Sequence, residues 1–288
     1  MENKKIAILF RGAHDSFNFG DDLIFISILY YLLNNIGLKY TLEFYSQRNK
    51  HSIEKLCFDF NVELYKCVEV TSIYEKLNYN LKKMKVIKSI RLLFIFIVFL
   101  CLIANIVYFK YTKKILFFRD IIQFYKNIDI IHYIGGGYIT DKWRFRILYE
   151  TITVCIAKFI NPDIQIIGTG LALGPFSRKS SIYLLKMYLR KFNFLYLREK
   201  ISFNMVKELK LNIYNKCLGD DAILFLPIFN MIKAKYNQDV LNKQVVGFNL
   251  KDFQDHNYDK IRDTIDDVLK LINDKGYFIE YFSLGQSP

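Results

Sequence analysis

The segment IDIIHYIGGG, residues 128–137, decides the fold of this chain. Its apolar part, residues 128–134, is short and rich in isoleucine, which predicts a buried β-strand that leads into three glycines. A second segment of this kind covers residues 163–167 and leads into Gly168-Thr169-Gly170. A helical pattern lies between them at residues 146–159. Strands that alternate with helices in this way are typical of a parallel α/β sheet.

The alternation continues on both sides of this pair. The further predicted strands are residues 6–10, 38–45, 62–70, 194–197 and 215–218. The further predicted helices are residues 21–33, 52–60, 180–192 and 202–209. We therefore predict an N-terminal Rossmann-like α/β domain with a parallel sheet over residues 1–232.

The C-terminal part starts a new unit. A polar stretch at residues 233–243 is typical of a linker. A β-α-β pattern follows, with strands at residues 245–250 and 277–282 and a helix at residues 258–275. The segment 244–288 is shorter than the roughly 100–150 residues of an ordinary domain. It is therefore predicted to be the start of a second Rossmann-like domain, which is either truncated or packed onto the first.

The composition limits the classes of protein. The 288 residues are 52% hydrophobic and 17% aromatic, which excludes a disordered or low-complexity chain. The formal net charge of +13 favours partners that carry phosphate: nucleic acid, anionic lipid or a phosphorylated small molecule. The five cysteines form no C-x-x-C motif and only four histidines occur, so neither disulfides nor a metal site are predicted. The N-terminal apolar run is too short for a secretory signal, and we expect a cytoplasmic protein.

One hydrophobic segment interrupts the alternation. Residues 92–109 carry no charge, and basic residues flank both ends. As a helix they would extend about 27 Å, close to the bilayer's hydrocarbon thickness of about 30 Å, but a span would separate the strands of one sheet. We therefore expect residues 85–118 to dock on the inner face of the cytoplasmic membrane, with a buried core helix as the alternative. Because much of the basic excess brackets this segment, nucleic acid is not expected as a partner.

Successive strand ends carry residues suited to ligand binding, and ligands of open α/β sheets bind at the carboxyl ends of the strands. Arg198 follows one strand, and its guanidinium can bind phosphate or carboxylate or form an ion pair. Glycines at two other strand ends leave the backbone open to a phosphate or sugar, or form tight turns. These glycines are Gly135, Gly136, Gly137, Gly168 and Gly170. They match neither the G-x-G-x-x-G fingerprint nor the P-loop, so neither NAD nor ATP is indicated.

Acidic residues lie where the first strand passes into the first helix. Asn18, Gly20, Asp21 and Asp22 form this junction. Asn18 or Asp21 could cap the helix, with Asp22 favouring its dipole. Alternatively, a carboxylate here holds a sugar hydroxyl or acts as a base.

A second acidic pair, Asp220 and Asp221, follows the last strand of the first domain. These residues are either solvated loop residues or part of the same ligand-binding edge. His132 lies inside an apolar strand, and we interpret it as a packing histidine rather than a general base.

Taken in order, these motifs resemble the polysaccharide pyruvyl transferase family. The motifs are NFGDD at residues 18–22, IHYIGGG at 131–137, GTGLALGPF at 168–176, LYLREKIS at 195–202, GDDAILFLP at 219–227 and VVGFNL at 245–250. They occur in the family's order and span most of the chain. The resemblance implies two facing Rossmann-like domains, as in glycosyltransferases of the GT-B architecture.

The resemblance also implies an activity: transfer of pyruvate from phosphoenolpyruvate to a sugar of a cell-surface polysaccharide or its lipid-linked precursor, without a further cofactor. It implies that Asp21 and Asp220 are catalytic, and that Asn18, Gly20, Arg198 and the five strand-end glycines bind substrate. Family members carry an Arg-x-His motif in the second domain, and these 288 residues contain none. The donor-handling histidine is therefore expected to be missing, which leaves the activity of this chain open. The alternatives are a nucleotide-sugar glycosyltransferase and a non-catalytic, membrane-attached remnant.

Overall fold

The computed structural model describes residues 5–12, 19–35, 41–46, 67–69, 119–227, 245–248 and 278–281. It also describes single residues elsewhere: Glu54, Ile97, Leu100, Cys101, Ala104, Asn105, Val107, Tyr108, Phe109, Tyr111, Thr112 and Lys270.

The described strands form a seven-stranded parallel sheet and a separate parallel pair. The strands of the sheet are β1 (Lys5–Gly12), β2 (Thr41–Ser46), β3 (Cys67–Glu69), β4 (Ile130–Ile139), β5 (Gln165–Leu173), β6 (Phe194–Leu197) and β7 (Tyr214–Cys217). Their order is β3-β2-β1-β4-β5-β6-β7. The chain therefore runs away from the β1–β4 pair in both directions, which makes the carboxyl ends of these two strands a topological switch point.

Five helices are described completely. They are α1 (Phe19–Asn35), α2 (Arg119–Asn127), α3 (Arg144–Ile160), α4 (Lys179–Leu189) and α5 (Lys200–Glu208). Two short 3-10 helices cover Asp141–Trp143 and Asp221–Phe225. The second of these lies just beyond β7 and packs against α1, which brings the end of the sheet back to its centre.

The core has two layers because successive residues of a strand point to opposite faces of the sheet. On β1, Ile8 and Phe10 join the cluster that α1 covers, where the rings of Phe10 and Phe25 lie 5.4 Å apart. Ala7 and Leu9 join the opposite cluster, to which α3 and α4 contribute. The buried apolar runs of the central strands thus form one sheet covered on both faces, as parallel sheets require.

A buried ion pair links β1 to α3. The Arg11 Nη2 donates to Glu150 Oε1 at 2.8 Å, and the Tyr133 hydroxyl donates to Glu150 Oε2 at 2.9 Å. Next to this pair, Arg146 donates to the carbonyl oxygen of Gly12 at 3.1 Å. These contacts hold the carboxyl end of β1 against α3.

The predicted fold class is confirmed, since the sheet is a Rossmann-like α/β sheet of parallel strands. Two strand bounds are wrong, because β4 and β5 do not end before their glycines but continue through them to Ile139 and Leu173. The helix α2 was not predicted. The strands β8 (Val245–Phe248) and β9 (Phe278–Tyr281) pair in parallel, as the β-α-β pattern requires. The division into domains at residues 232 and 244 stays a prediction.

Most of the hydrophobic segment, residues 92–109, lies outside the described residues. Those that are described there are helical. Among the residues that the structure describes, no helix combines the length and the apolar character that crossing a membrane requires.

Candidate functional site

The candidate site lies at the carboxyl ends of the parallel strands, which we call the carboxyl edge of the sheet. There the strand register aligns the residues that the sequence predicted. On β4 and β5, Ile134 lies opposite Thr169 and Gly136 lies opposite Leu171. On β6 and β7, Leu197 lies opposite Cys217, so that Arg198 and the turn at Gly219 leave the sheet side by side. The register thus collects residues from four strand ends at one edge, next to the switch point.

The glycines of β4 and β5 occupy conformations that other residues rarely adopt. Gly135, Gly136 and Gly170 have φ values of +26°, +94° and +58°. The register of the two strands shifts between Gly136 and Ile139, so the backbone bulges here rather than turning away. A Cβ atom on Gly170 would lie 2.7 Å from Asp221 Cγ, and one on Gly135 would lie 2.9 Å from the Ile24 side chain. Close packing against α1 and the Asp221 turn therefore requires glycine at these two positions.

Gly137 differs from its neighbours. It is exposed, its φ is not positive, and an added Cβ would have an ordinary contact of 3.9 Å with Ala172. The packing of the protein thus leaves room for a side chain at this position.

We therefore predict opposite results for two glycine variants. Gly170→Ala should lower the free energy of unfolding by roughly 1–3 kcal/mol, because the left-handed backbone and the Asp221 carboxyl both resist a Cβ. Gly137→Ala should change it by less than about 0.5 kcal/mol. Urea unfolding measures both. If Gly137→Ala is as unstable as Gly170→Ala, the fold leaves no room for a side chain at position 137. If only its ligand binding weakens, Gly137 serves the ligand.

An ion pair fixes Arg198 at this edge. The Arg198 Nε lies 3.0 Å from Asp220 Oδ2, and the other carboxylate oxygen of Asp220 accepts the backbone N–H of Ala222 at 3.0 Å. The Arg198 side chain remains 46% exposed. Asp220 thus orients a guanidinium that is open to solvent and to an anionic ligand.

The side chain of the next residue, Asp221, faces β4 and β5, the two strands that contain the glycines. Its Oδ2 accepts the Thr169 hydroxyl at 2.6 Å, and the Gly135 N–H also donates to its carboxylate. The Thr169 hydroxyl lies 2.9 Å from His132 Nε2. A chain of hydrogen bonds therefore runs from Asp221 at the edge through Thr169 to His132 within the sheet.

Burial changes the ionisation of both ends of this chain. It raises the pKa of the Asp221 carboxyl to about 6; the hydrogen bonds from Thr169 and Gly135 oppose this rise, and the charge of Asp220 adds to it. Burial lowers the pKa of His132 to about 3, so this imidazole is neutral at pH 7. His132 is 5% exposed, which confirms the prediction of a packing histidine.

The junction between β1 and α1 supplies the remaining predicted residues. Gly20, Asp21 and Asp22 lie in the first turn of α1, where carboxylates favour the helix dipole. Ile24, one turn further, contacts the position of Gly135. The beginning of α1 therefore lies close to the bulged backbone at Gly135 and Gly136, which we call the glycine bulge. Asn18 lies outside the described residues.

The loops that follow β4 and β5 are tied to each other on the same side of the sheet. The Asp141 carboxylate accepts the Ser177 N–H at 2.6 Å and hydroxyl at 2.9 Å, and the Arg178 N–H at 3.1 Å. A hydrogen bond from the Ser181 side chain, together with those from Ser177 and Arg178, lowers the pKa of Asp141 to about 2, so it is ionised at pH 7. The two loops thus hold each other in place beyond the ends of β4 and β5.

The structure brings most of the predicted site residues together, and it adds Thr169 and the connection from Asp221 to His132. Arg198 and Asp220 form a pair, while Gly135 and Gly170 surround Asp221. Gly168 has a different role, because a Cβ atom there would lie 2.7 Å from the Leu171 side chain in the core. Within the described part of the chain, no group of three or more His, Cys, Asp or Glu residues could hold a metal ion.

The sheet topology and this edge define a Rossmann-like α/β protein whose polar groups gather at the carboxyl ends of its parallel strands. The family model for polysaccharide pyruvyl transferase matches residues 18–288. The chain therefore belongs to the polysaccharide pyruvyl transferase family, a family of transferases.

Comparison with solved structures gives distant similarities. UDP-N-acetylglucosamine 2-epimerase from Rickettsia bellii is 11% identical with a TM-score of 0.47, and the match covers 98% of this chain and 62% of that chain. TubZ of Clostridium botulinum phage c-st is 13% identical with a TM-score of 0.27, and the match covers 100% of this chain and 90% of that chain. The chain thus spans about 62% of the length of the epimerase. Among curated proteins, none matches this chain in sequence.

Proposed function

We propose that this protein transfers pyruvate from phosphoenolpyruvate to a sugar of a cell-surface polysaccharide or its lipid-linked precursor. Membership of the family supports the reaction class. The observation that carries the proposal is Arg198, held by Asp220 with its guanidinium open at the edge where the glycine strands bulge. Phosphoenolpyruvate presents a carboxylate and a phosphate on one carbon, and a guanidinium is suited to either group.

The chemistry defines what this edge has to do. A ketal forms when two sugar hydroxyl oxygens bond to C2 of phosphoenolpyruvate and the bond from C2 to the phosphate oxygen breaks. One hydroxyl proton balances the new methyl group at C3, and the other leaves with the phosphate. The site must therefore stabilise the departing phosphate, in the role proposed for Arg198, and move a proton. The proposed roles of Asp21 and of the open backbone at Gly137 are to orient the sugar hydroxyls and the donor.

We also propose that the hydrophobic segment places the protein at the inner face of the cytoplasmic membrane. Its described residues include the exposed apolar side chains of Ile97, Leu100 and Tyr108. Val107 lines an apolar groove of about 330 Å³ together with residues of α3 and α4. Exposed apolar side chains with basic flanks are typical of surfaces that bind anionic bilayers. A lipid-linked acceptor would be presented at this surface.

A binding measurement separates this proposal from its rivals. Isothermal titration of the purified chain with phosphoenolpyruvate should give a dissociation constant below about 1 mM, equivalent to about −4 kcal/mol, and UDP-glucose should not compete. Co-sedimentation with vesicles should require anionic lipid and fall at high salt. Binding of UDP-glucose alone would favour a nucleotide-sugar glycosyltransferase. Sedimentation with anionic vesicles without binding of phosphoenolpyruvate would favour a non-catalytic, membrane-attached protein.

A further inference from the structure

The Asp221 carboxyl lies where β4, β5 and the turn after β7 come together. It reaches Thr169 on β5 at 2.6 Å and the backbone of Gly135 on β4. Gly170 lies against the same carboxyl, because an added Cβ would come within 2.8 Å of its Oδ2. The residue is nevertheless only partly buried. The Asp221 side chain thus belongs to the same group of residues as the glycines of β4 and β5.

The other acidic residue of the turn is already engaged. Both carboxylate oxygens of Asp220 have partners, namely the Arg198 guanidinium and the Ala222 N–H. This pairing suits a residue that orients Arg198. Among the residues that the structure describes, none forms an ion pair with Asp221, whose hydrogen bonds come from a hydroxyl and a backbone N–H.

We infer that Asp221 is a catalytic residue that gives the proton to C3 of phosphoenolpyruvate and recovers one from the attacking sugar hydroxyl. This inference rests on the proposed function. In the step, the C2–C3 double bond takes the proton from the Asp221 carboxyl, a sugar oxygen bonds to C2, and the hydroxyl proton passes to the carboxylate. When the second hydroxyl bonds to C2, the bond to the phosphate oxygen breaks and its proton leaves with the phosphate. Protons and charges balance without a further reactant.

The surroundings of Asp221 support this role. Burial raises the pKa of Asp221 to about 6, so that a fraction of the molecules carries a protonated Asp221 carboxyl near neutral pH. His132 is neutral there, because burial lowers its pKa to about 3, and it acts through Thr169 as a positioning residue. The charge that acts on the carboxyl is that of Asp220, whose partner is Arg198. The helix α1, whose first turn carries Asp21 and Asp22, packs against the Asp221–Phe225 helix.

Substitution of Asp221 tests the assignment. In an assay of pyruvate transfer and phosphate release from phosphoenolpyruvate, Asp221→Asn should reduce kcat by roughly 10²–10⁴-fold and leave phosphoenolpyruvate binding within about threefold. The matched control is Asp163→Asn, which should keep wild-type turnover. Asp163 is an exposed carboxylate that precedes β5, at the amino ends of the parallel strands. Circular dichroism and thermal unfolding establish that both variants fold.

The pH profile provides a readout that a purely structural role would not change. Turnover requires the protonated carboxyl and should fall as the pH rises past about 6. The Thr169 hydroxyl stabilises the carboxylate, so Thr169→Val should raise the pKa of Asp221 and shift this limb to higher pH, whereas Thr169→Ser should leave it in place. Because the phosphate of the donor also titrates at about 6, the shift between variants is the measured quantity.

The outcomes separate the inference from the proposed function. A wild-type chain that neither binds phosphoenolpyruvate nor transfers pyruvate overturns the proposed function, and the inference falls with it. A wild-type chain that transfers pyruvate while Asp221→Asn keeps its kcat, or while Thr169→Val leaves the limb in place, overturns the inference alone. Loss of turnover in Asp221→Asn together with the alkaline shift in Thr169→Val supports both.

Discussion

Replacing Glu150 with Gln is expected to lower the free energy of unfolding by about 3–5 kcal/mol. The carboxylate of Glu150 accepts both Arg11 and the Tyr133 hydroxyl, and the Arg11 and Glu150 side chains are only 4% and 2% exposed. Glutamine has nearly the same size but no charge, so the buried guanidinium of Arg11 loses its ion pair with Glu150. Removing one partner of a buried ion pair costs more than the intact pair contributes.

Urea unfolding followed by circular dichroism measures this effect. Glu208→Gln is the matched control, because Glu208 is an exposed carboxylate near the end of α5, and its free energy of unfolding should change by less than about 0.5 kcal/mol. A loss below about 1 kcal/mol for Glu150→Gln would show that Arg11 finds another partner or water.

The buried pair also bears on the site. Arg11 and Gly12 are the last residues of β1, and the Gly12 carbonyl accepts Arg146 from the same helix that carries Glu150. A Cβ atom on Gly12 would lie 2.4 Å from the Ile134 carbonyl oxygen, so β1 and β4 are in close contact here. Loosening of Arg11 would therefore disturb the switch point that borders the glycine bulge.

The alternation of strands and helices was predictable because buried parallel strands consist of short, continuous apolar runs. The ends of β4 and β5 were not, since Gly135 and Gly168 suggest turns. In the fold, neighbouring strands keep pairing with the backbone past these glycines, and the conformational freedom of glycine is used for a bulge instead. The helix α2 was missed because its nine residues are fewer than the window of roughly 11–18 residues in which helical periodicity is recognised.

The residue types of the site were predictable from the sequence, but the contacts between their side chains were not. Arg198 and Asp220 follow strand ends, and parallel strands end at one edge, so their collection there follows from sequence order. The glycines lie inside β4 and β5. Which side chains meet depends on register. Asp221 and Thr169 are 52 residues apart, and Thr169 and His132 are 37 apart. No local pattern encodes these contacts, which arise once β4, β5 and the β7 turn are aligned.

Replacing Arg198 with Ala is expected to weaken phosphoenolpyruvate binding by roughly 10–150-fold, the equivalent of about 1.5–3 kcal/mol for a hydrogen bond to a charged group. The loss has two causes: the guanidinium that would hold the phosphate or carboxylate is gone, and the Asp220 carboxylate is left facing the anionic donor. Arg198→Lys keeps the charge but not the forked donor geometry, so we expect an intermediate affinity.

Stability distinguishes this loss of binding from unfolding. Because the Arg198–Asp220 pair is partly exposed, its removal should cost less than about 1 kcal/mol, and Arg198→Ala should melt close to wild type. Arg190→Ala, at an exposed arginine that follows α4, removes the same charge from the protein and should keep wild-type affinity. If both variants lose affinity equally, the net positive charge attracts the donor and Arg198 has no special part in its binding. If Arg198→Ala alone loses affinity, the donor binds at the carboxyl edge of the sheet, within reach of the Asp221 turn.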